Sequence, residues 1–204
     1  MEKQSTNPKD VVFESMDGKN VYGRLQKPRG NGRFPAVIFI HGGMGNNKEF
    51  TDQLLSWPIA DALKDEYVLL SSDYRLDLNG RDIGDITGAF KFVSSLPFVD
   101  ERRIAYFGDS HGSYLALMAA LQTNPRVIIH NWGVADLAKW YEEIKDSPDS
   151  FYRELAINLE KTYGGPPDEV PEVYQRVSPI SHVNGIKCPV LINHGEDDEF
   201  VSVR

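Results

Sequence analysis

Continuous apolar runs recur along the chain without the polar alternation of a half-exposed strand. Such runs are typical of strands that are buried on both faces of a parallel sheet. The five runs are FPAVIFI (34–40), YVLLSS (67–72), RIAYFG (103–108), RVIIHN (126–131) and PVLIN (189–193). Between them, apolar residues recur at helical spacing, as at Ile83, Ile86, Phe90 and Val93. Strands that alternate with helices predict an α/β fold, with a mostly parallel central sheet and helices on both faces.

Three segments depart from this alternation. Residues 10–28, DVVFESMDGKNVYGRLQKP, alternate on either side of a turn and predict an antiparallel hairpin at the N-terminal edge of the sheet. A helical pattern from Phe50 to Glu66 contains Pro58, which predicts a kink or a split. Residues 137–179 are polar, aromatic and rich in Pro and Gly. Because ligands of such sheets bind beyond the carboxyl ends of the strands, this segment is predicted to be a helical lid insertion.

Composition narrows the classes of partner. The 204 residues, 41% of them hydrophobic, fit a single domain (1–204) with a substantial core. A formal net charge of -8 argues against nucleic acid and anionic membranes as partners. The single cysteine, Cys188, excludes an intrachain disulfide and a cysteine-rich zinc site. The sequence shows neither a signal peptide nor a membrane span, which favours a cytoplasmic protein, and no residue spacing suggests a metal or an organic cofactor.

Ser110 stands between two glycines, in Gly108-Asp-Ser-His-Gly112, where an apolar strand meets a long apolar helix pattern. This arrangement predicts a nucleophile elbow, a strand-to-helix turn so tight that the nucleophile adopts a strained backbone conformation. Gly108 and Gly112 are then structural, because larger side chains would clash with the neighbouring strand and helix. Ser110 would lie at a helix N-terminus, where the helix dipole favours developing negative charge.

A glycine-rich turn follows the strand that ends at Ile40, and it reads His41-Gly42-Gly43-Met44. Backbone N–H groups in such a turn can point at an oxyanion because no Cβ blocks the approach. We expect the N–H of Gly43 or Met44 to act together with the N–H of His111, while His41 and Gly42 hold the loop.

A carboxylate that orients a catalytic imidazole is expected at the end of a neighbouring strand. His194-Gly-Glu-Asp-Asp198 follows the last apolar run, and Asp198 is the favoured candidate. Asp197 is an alternative. Asp136, which ends the preceding NWGVAD segment, is a further alternative but fits better as a helix N-cap.

The chain resembles the α/β-hydrolases, specifically the catalytic domain of prolyl oligopeptidase-like serine hydrolases, and also dienelactone-hydrolase-type esterases. The resemblance rests on HGG (41–43), DYR (73–75), VSSLPFVDERRIAYFGDSHGSYLALMAA (93–120) and SPISHVNGIKCPVLINHGEDDEFV (178–201). It implies Ser110 as nucleophile, Asp198 as acid and the HGG loop as oxyanion support. The elbow departs from the family's usual Gly-Gly-Ser-Tyr-Gly-Gly, and His111 is therefore expected to face the pocket and alter specificity.

The base of a serine hydrolase is a histidine, which in this family's order follows the acid. All five histidines of the chain precede Asp198: His41, His111, His130, His182 and His194. We therefore expect the chain to be C-terminally incomplete, to lack a final strand and the catalytic histidine, and to be nearly inactive as it stands. The apolar run PVLIN would then form an unpaired edge that favours self-association.

Two functions follow from these residues. The first is hydrolysis of ester, peptide or amide bonds through an acyl-enzyme on Ser110. Aromatic residues of the lid, Trp140 and Tyr141 with Phe151 and Tyr152, and Trp132 at its edge, would then line the substrate pocket. The alternative is a non-catalytic binding module that keeps the hydrolase fold without its base.

Overall fold

A seven-stranded sheet forms the centre of the computed structural model, which describes residues 6–43 and 45–203. The strands lie in the order β1-β2-β4-β3-β5-β6-β7. Their bounds are β1 Lys9–Glu14, β2 Asn20–Gln26, β3 Phe34–Ile40, β4 Val68–Ser72, β5 Val99–Asp109, β6 Val127–Asn131 and β7 Val190–Asn193. β1 pairs antiparallel with β2, and β2 pairs antiparallel with β4. The remaining pairs are parallel. The predicted α/β class, the parallel sheet and the N-terminal hairpin are therefore confirmed.

Seven α-helices and one 3-10 helix connect the strands in the described part of the chain. They are α1 Lys48–Leu54, α2 Pro58–Leu63, α3 Arg81–Ser95, α4 His111–Ala119, α5 Leu137–Ile144, α6 Ser150–Tyr163, α7 Pro171–Val177 and the 3-10 helix Pro179–Gly185. The predicted split at Pro58 is confirmed. Trp57 has an extended backbone, as the residue before a proline prefers, so α2 begins anew at Pro58.

Buried side chains cover both faces of the sheet, as the unbroken apolar runs predict. Along β3, Ile38 and Ile40 belong to the core shared with α3 and α4. Val37 and Phe39 point to the other face and pack in the smaller core that includes Leu54 of α1. This alternation sends successive residues to opposite faces, and both faces are covered by helices.

The predicted insertion forms three helices, α5 to α7, which occupy residues 137–177. Tyrosine rings hold these helices together. Tyr174 of α7 makes edge-on contacts with Tyr141 of α5 and Tyr163 of α6. No helix among residues 6–43 and 45–203 is long and apolar enough to cross a membrane.

Within residues 6–43 and 45–203, β7 lies at the edge of the sheet and pairs on one side only, with β6. Leu191 and Ile192 are 55% and 65% exposed, unlike the buried apolar residues of the inner strands. An edge of this kind is a template for pairing with another strand. Self-association through this edge, and the lack of a further strand and histidine, stay predictions.

Candidate active site

Ser110 is the turning point between β5 and α4. Its backbone has φ 52° and ψ -118°, and only Ser110 and Trp132 combine a side chain with a positive φ among the residues described. Such a conformation is costly for a residue with a Cβ and persists only where surrounding contacts enforce it. The Ser110 N–H donates to the carbonyl oxygen of Asn131 at 2.9 Å, which fixes the turn to β6.

Two glycines let the chain approach itself closely around Ser110. A Cβ on Gly108 would lie 2.5 Å from the Gly112 carbonyl oxygen. A Cβ on Gly112 would lie 2.5 Å from the His41 carbonyl oxygen and closer still to that of Ile40. β3, β5 and the first turn of α4 therefore meet with no room for side chains at these positions.

A buried amide–carboxyl pair supports the elbow from β6. Asn131 Nδ2 donates to Asp109 Oδ1 at 2.9 Å and to the Gly108 carbonyl oxygen at 3.1 Å. The Asn131 Oδ1 accepts from Asn193 of β7 at 2.9 Å. Asp109 Oδ2 is buried without a hydrogen-bond partner among the described residues. Sequence reasoning missed this pair, because nothing in the local pattern around Asn131 marks it as the partner of a residue 22 positions away.

Burial raises the pKa of Asp109 above its ordinary value of 3.8, and the Asn131 amide opposes this shift. Between 3.8 and the raised pKa, the folded protein binds more protons than the unfolded chain, so the contribution of Asp109 to stability falls as pH rises. We expect Asp109→Asn to gain free energy of unfolding relative to the wild type over this range, by at most about 1.4 kcal/mol per pH unit. Urea denaturation at a series of pH values measures this difference.

Asp100→Asn is the control for this pH series. The guanidinium of Arg103 lowers the pKa of the half-buried Asp100, so the stability difference between Asp100→Asn and the wild type should change with pH in the opposite direction or stay flat. A stability difference between Asp109→Asn and the wild type that does not vary with pH would contradict a raised pKa at Asp109.

The HGG loop is held beside Ser110 by the DYR segment. The Tyr74 hydroxyl donates to the carbonyl oxygens of His41 at 3.0 Å and Gly43 at 2.7 Å. The His41 ring stacks on Tyr74, with centroids 4.4 Å apart, and its Nε2 lies 3.3 Å from Asp73 Oδ1. Gly43 has φ 83°. His41 thus has a structural place, whereas Met44, predicted as an oxyanion donor, lies outside the described residues.

Gly42 brings this loop into contact with the elbow. A Cβ at Gly42 would lie 3.1 Å from both Ser110 Cβ and the Asp109 carbonyl oxygen. The loop therefore passes directly beside the serine, and Gly43, Ser110 and His111 line the same cavity.

The His111 ring is held by a buried carboxylate that the sequence did not single out. His111 Nε2 lies 3.2 Å from Asp82 Oδ2, and Asp82 Oδ1 accepts from the Ile83 N–H at 2.9 Å. Burial raises the pKa of Asp82, and the hydrogen bond with His111 opposes this shift. The His111 ring also packs beside Tyr74 and Tyr114, at centroid distances of 5.6 and 5.3 Å.

The cavity beside Ser110 has a volume of about 240 Å³ and a largely apolar wall. Its lid side includes Leu137 and Trp140 of α5, Phe151, Tyr152, Leu155 and Leu159 of α6, with Phe200 and Val201 from the acid loop. Residues of α5 and α6 thus border the serine, and Trp140 lines the cavity; a role as a lid and in substrate binding stays a prediction.

Two predicted pocket residues lie elsewhere, and these predictions are corrected. Tyr141 is buried between the lid helices, where its hydroxyl donates to Glu160, so it packs the lid instead of lining the cavity. Tyr141 follows Trp140 directly in sequence, but successive residues of a helix point in different directions, so Tyr141 lies on another face of α5. Trp132 lines an open groove together with Asp197 and Asp198, outside the cavity at Ser110.

Asp198 closes the turn after β7. Its Oδ1 accepts from the N–H groups of Phe200 at 2.9 Å and Val201 at 3.0 Å, and its Oδ2 lies 3.4 Å from His194 Nε2. Trp140 Nε1 donates to the Phe200 carbonyl oxygen at 3.0 Å, which ties this loop to the lid. Asp136 accepts from two N–H groups at the start of α5 and is an N-cap, as expected.

The Ser110 hydroxyl makes no hydrogen bond with any residue in 6–43 or 45–203. Four histidine rings have polar neighbours elsewhere: Gly42 and Asp73 for His41, Asp82 for His111, Arg176 for His182, and Val201 and Asp198 for His194. His130 is buried in β6 with both ring nitrogens unpartnered among the described residues, and burial lowers its pKa to about 4. Among the residues described, the predicted nucleophile and the HGG loop therefore lie together, and no histidine ring makes a hydrogen bond with the Ser110 hydroxyl.

Comparison with known proteins places this geometry in a family. The BD-FAE family model matches residues 25–204. The chain belongs to the BD-FAE family. The uncharacterized peptidase YtmA of Bacillus subtilis (strain 168) is 29% identical over 198 residues, which cover 92% of this chain and 72% of that protein. These matches, with the fold, identify an α/β-hydrolase domain of the prolyl oligopeptidase-like serine hydrolases.

Solved structures share the fold at low sequence identity. A puromycin-hydrolyzing peptidase of Mycobacterium tuberculosis superposes with a TM-score of 0.77 at 21% identity, over 97% of this chain and 32% of that one. Acetyl xylan esterase 1 from Thermoanaerobacterium sp. JW/SL YS485 has a TM-score of 0.72 at 20% identity, over 96% of this chain and 70% of that one. The chain thus spans about a third of the longer peptidase and more than two thirds of the esterase.

Proposed function

We propose that the protein is a serine hydrolase that cleaves ester, peptide or amide bonds through an acyl-enzyme on Ser110. The observation that carries this proposal is the strained backbone of Ser110, at φ 52°, where α4 begins and a cavity opens. A positive φ is costly for serine. The strain is explained if Ser110 is a nucleophile, because the sharp turn exposes the serine oxygen beyond the end of the strand and at the helix N-terminus.

The oxyanion of the tetrahedral intermediate would be held by backbone donors. The N–H of His111 lies at the N-terminus of α4, where the helix dipole favours negative charge. Gly43 borders the same cavity, and Tyr74 fixes its carbonyl oxygen so that the peptide group cannot turn freely. Met44 stays a predicted donor.

Asp198 is proposed to orient the histidine that takes the serine proton. The acid loop borders the cavity through Phe200 and Val201, and the Trp140 hydrogen bond holds it there. The histidine itself is not among the rings described at Ser110, so the proposed acyl transfer needs an imidazole from elsewhere. Asp197, on the open groove with Trp132, is the alternative acid.

The apolar wall of the cavity favours an apolar or aromatic group on the acyl side of the scissile bond. Burial of such a group contributes about 25 cal/mol for each Å² of apolar surface removed from water. The names of the similar proteins include both peptidases and an esterase. Both activities use the same acyl-enzyme chemistry, and the proposal covers both.

The test is covalent labelling with a fluorophosphonate, in which the Ser110 oxygen attacks phosphorus, fluoride leaves and a base takes the serine proton. Intact-mass spectrometry of the chain is followed by peptide mapping, with and without added imidazole as a soluble base. We expect one adduct on Ser110, formed faster in imidazole and absent from Ser110→Ala. The absence of an adduct under both conditions would reject the proposal and favour the binding-module alternative, as would equal labelling of Ser110→Ala.

A further inference from the structure

The His111–Asp82 pair places a polar ring in the wall of a largely apolar cavity. Apart from Ser110, His111 and the hydroxyl-bearing Tyr114 and Tyr152, the side chains that line the cavity are aliphatic or are those of Phe and Trp. Asp82 is 2% exposed in its side chain and lies behind the ring, outside the cavity. A hydrogen-bonding side chain at such a place discriminates strongly between substrates. A substrate group that cannot hydrogen-bond to it leaves a desolvated polar atom unpaired.

The hydrogen-bond pattern of Asp82 defines which ring nitrogen is free. Asp82 Oδ1 accepts from the Ile83 N–H, so Oδ2 is the oxygen that meets His111 Nε2. An ionised Asp82 only accepts, so a neutral His111 ring that bonds to it carries its hydrogen on Nε2 and keeps a lone pair on Nδ1. His111 Nδ1 makes no hydrogen bond with a described residue and is not fully buried. The open space that His111 lines is the cavity at Ser110.

We propose that His111, oriented by Asp82, selects substrates whose group in the cavity carries a hydrogen-bond donor such as a hydroxyl. This inference rests on the proposed hydrolase function and names a specificity-determining side chain for it. The backbone N–H of His111 is a separate feature, which a change of the side chain leaves in place.

Asp82→Asn is the decisive variant because the Ile83 N–H fixes the orientation of the new amide. The amide oxygen keeps the Ile83 hydrogen bond, and the NH₂ group then faces His111 Nε2. The ring must accept at Nε2 and carry its hydrogen on Nδ1, so the atom that faces the cavity changes from acceptor to donor. Ring-nitrogen NMR reports this tautomer without any substrate.

The substrates are 4-nitrophenyl esters of N-acetylated amino acids in two isosteric pairs, assayed with added imidazole as the soluble base and with the rate of Ser110→Ala subtracted. Threonine and valine differ by a hydroxyl, and O-methylserine and norvaline differ by an ether oxygen that can only accept. We expect the wild type to prefer threonine over valine in kcat/KM by about three- to tenfold, the value of one neutral hydrogen bond. Asp82→Asn should gain a similar preference for O-methylserine over norvaline, which the wild type lacks. His111→Phe should lose both preferences.

His182→Phe is the matched control, because His182 belongs to the 3-10 helix and, among the described residues, its ring hydrogen-bonds only with the Arg176 carbonyl oxygen. Its substrate ratios should equal those of the wild type. Unchanged ratios in both Asp82→Asn and His111→Phe, with turnover of all esters, would overturn this inference alone, as would an Nδ1–H tautomer in the wild type. No turnover together with no Ser110 adduct would instead reject the hydrolase function.

Discussion

Gly112→Ala is expected to lower the free energy of unfolding by about 3 kcal/mol, at the upper end of what overpacking costs. The new Cβ would meet the carbonyl oxygens of Ile40 and His41, which are backbone atoms of β3 and the HGG loop and cannot rotate away. Helix propensity favours alanine over glycine by about 1 kcal/mol, so a loss of stability reports the clash alone. At this chain length 1 kcal/mol shifts Tm by roughly 2–4 °C, and thermal denaturation should therefore show a fall of about 10 °C.

Gly84→Ala is the matched control within a helix. Gly84 lies in α3, and the nearest atoms to an added Cβ are side-chain atoms of Met16 and Ser15 at 3.5 Å, an ordinary contact. Alanine should therefore stabilise the protein here by up to about 1 kcal/mol. If Gly112→Ala changed the free energy of unfolding as Gly84→Ala does, the close contact of β3 with α4 at Gly112 would be contradicted. In addition, Gly112→Ala should fail to form the fluorophosphonate adduct, because the clash displaces Ser110.

Asn131→Leu is expected to cost about 3 kcal/mol, although leucine has nearly the shape of asparagine. The substitution removes the only side chain that donates to the buried Asp109 carboxyl among the described residues. An unsatisfied buried polar group costs about 1–3 kcal/mol, and more when the group is charged. The Gly108 carbonyl oxygen keeps a hydrogen bond from the Ser113 hydroxyl, and Asn193, which loses its Asn131 partner, is exposed, so most of the cost arises at Asp109. Urea denaturation at neutral pH measures it.

A double-mutant cycle separates this cause from a loss of packing. With Asp109→Leu present, Asn131→Leu should cost little, since no buried carboxyl is left without a donor. Asn193→Leu, which removes one hydrogen bond at an exposed position of β7, should cost less than about 1 kcal/mol. Equal costs of Asn131→Leu in the presence and absence of Asp109 would show that the pair does not stabilise the elbow.

Local pattern in the sequence was enough to predict the sheet, its helices and the place of the serine. Apolar runs record burial on two faces, and Pro58 splits a helix wherever it stands, so these features need no knowledge of distant residues. The glycines around Ser110 follow from the tightness of the turn. The lid was visible as a change of composition, and its three helices occupy residues 137–177.

The lining of the cavity was less predictable, because a list of aromatic residues does not say which way each ring points. Of the three named candidates, Trp140 lines the cavity, whereas Tyr141 is buried against Tyr174 and Trp132 borders an open groove. Trp140 and Tyr141 are consecutive residues of α5, and one step along a helix rotates the side-chain direction by about 100°. Only the packing of α5 on α6 and α7 decided which of them met the serine.

The sequence by itself determined the α/β-hydrolase fold, the position of Ser110 at a strained turn and the loops that approach it. The tertiary structure alone decided the partners: Asn131 for Asp109, Tyr74 for the HGG loop, and Asp82 for His111. The physical reason is that secondary structure depends on neighbours within a few residues, whereas these hydrogen bonds join residues 22 to 33 positions apart. Strand order and helix packing bring such residues together, and no local pattern records either.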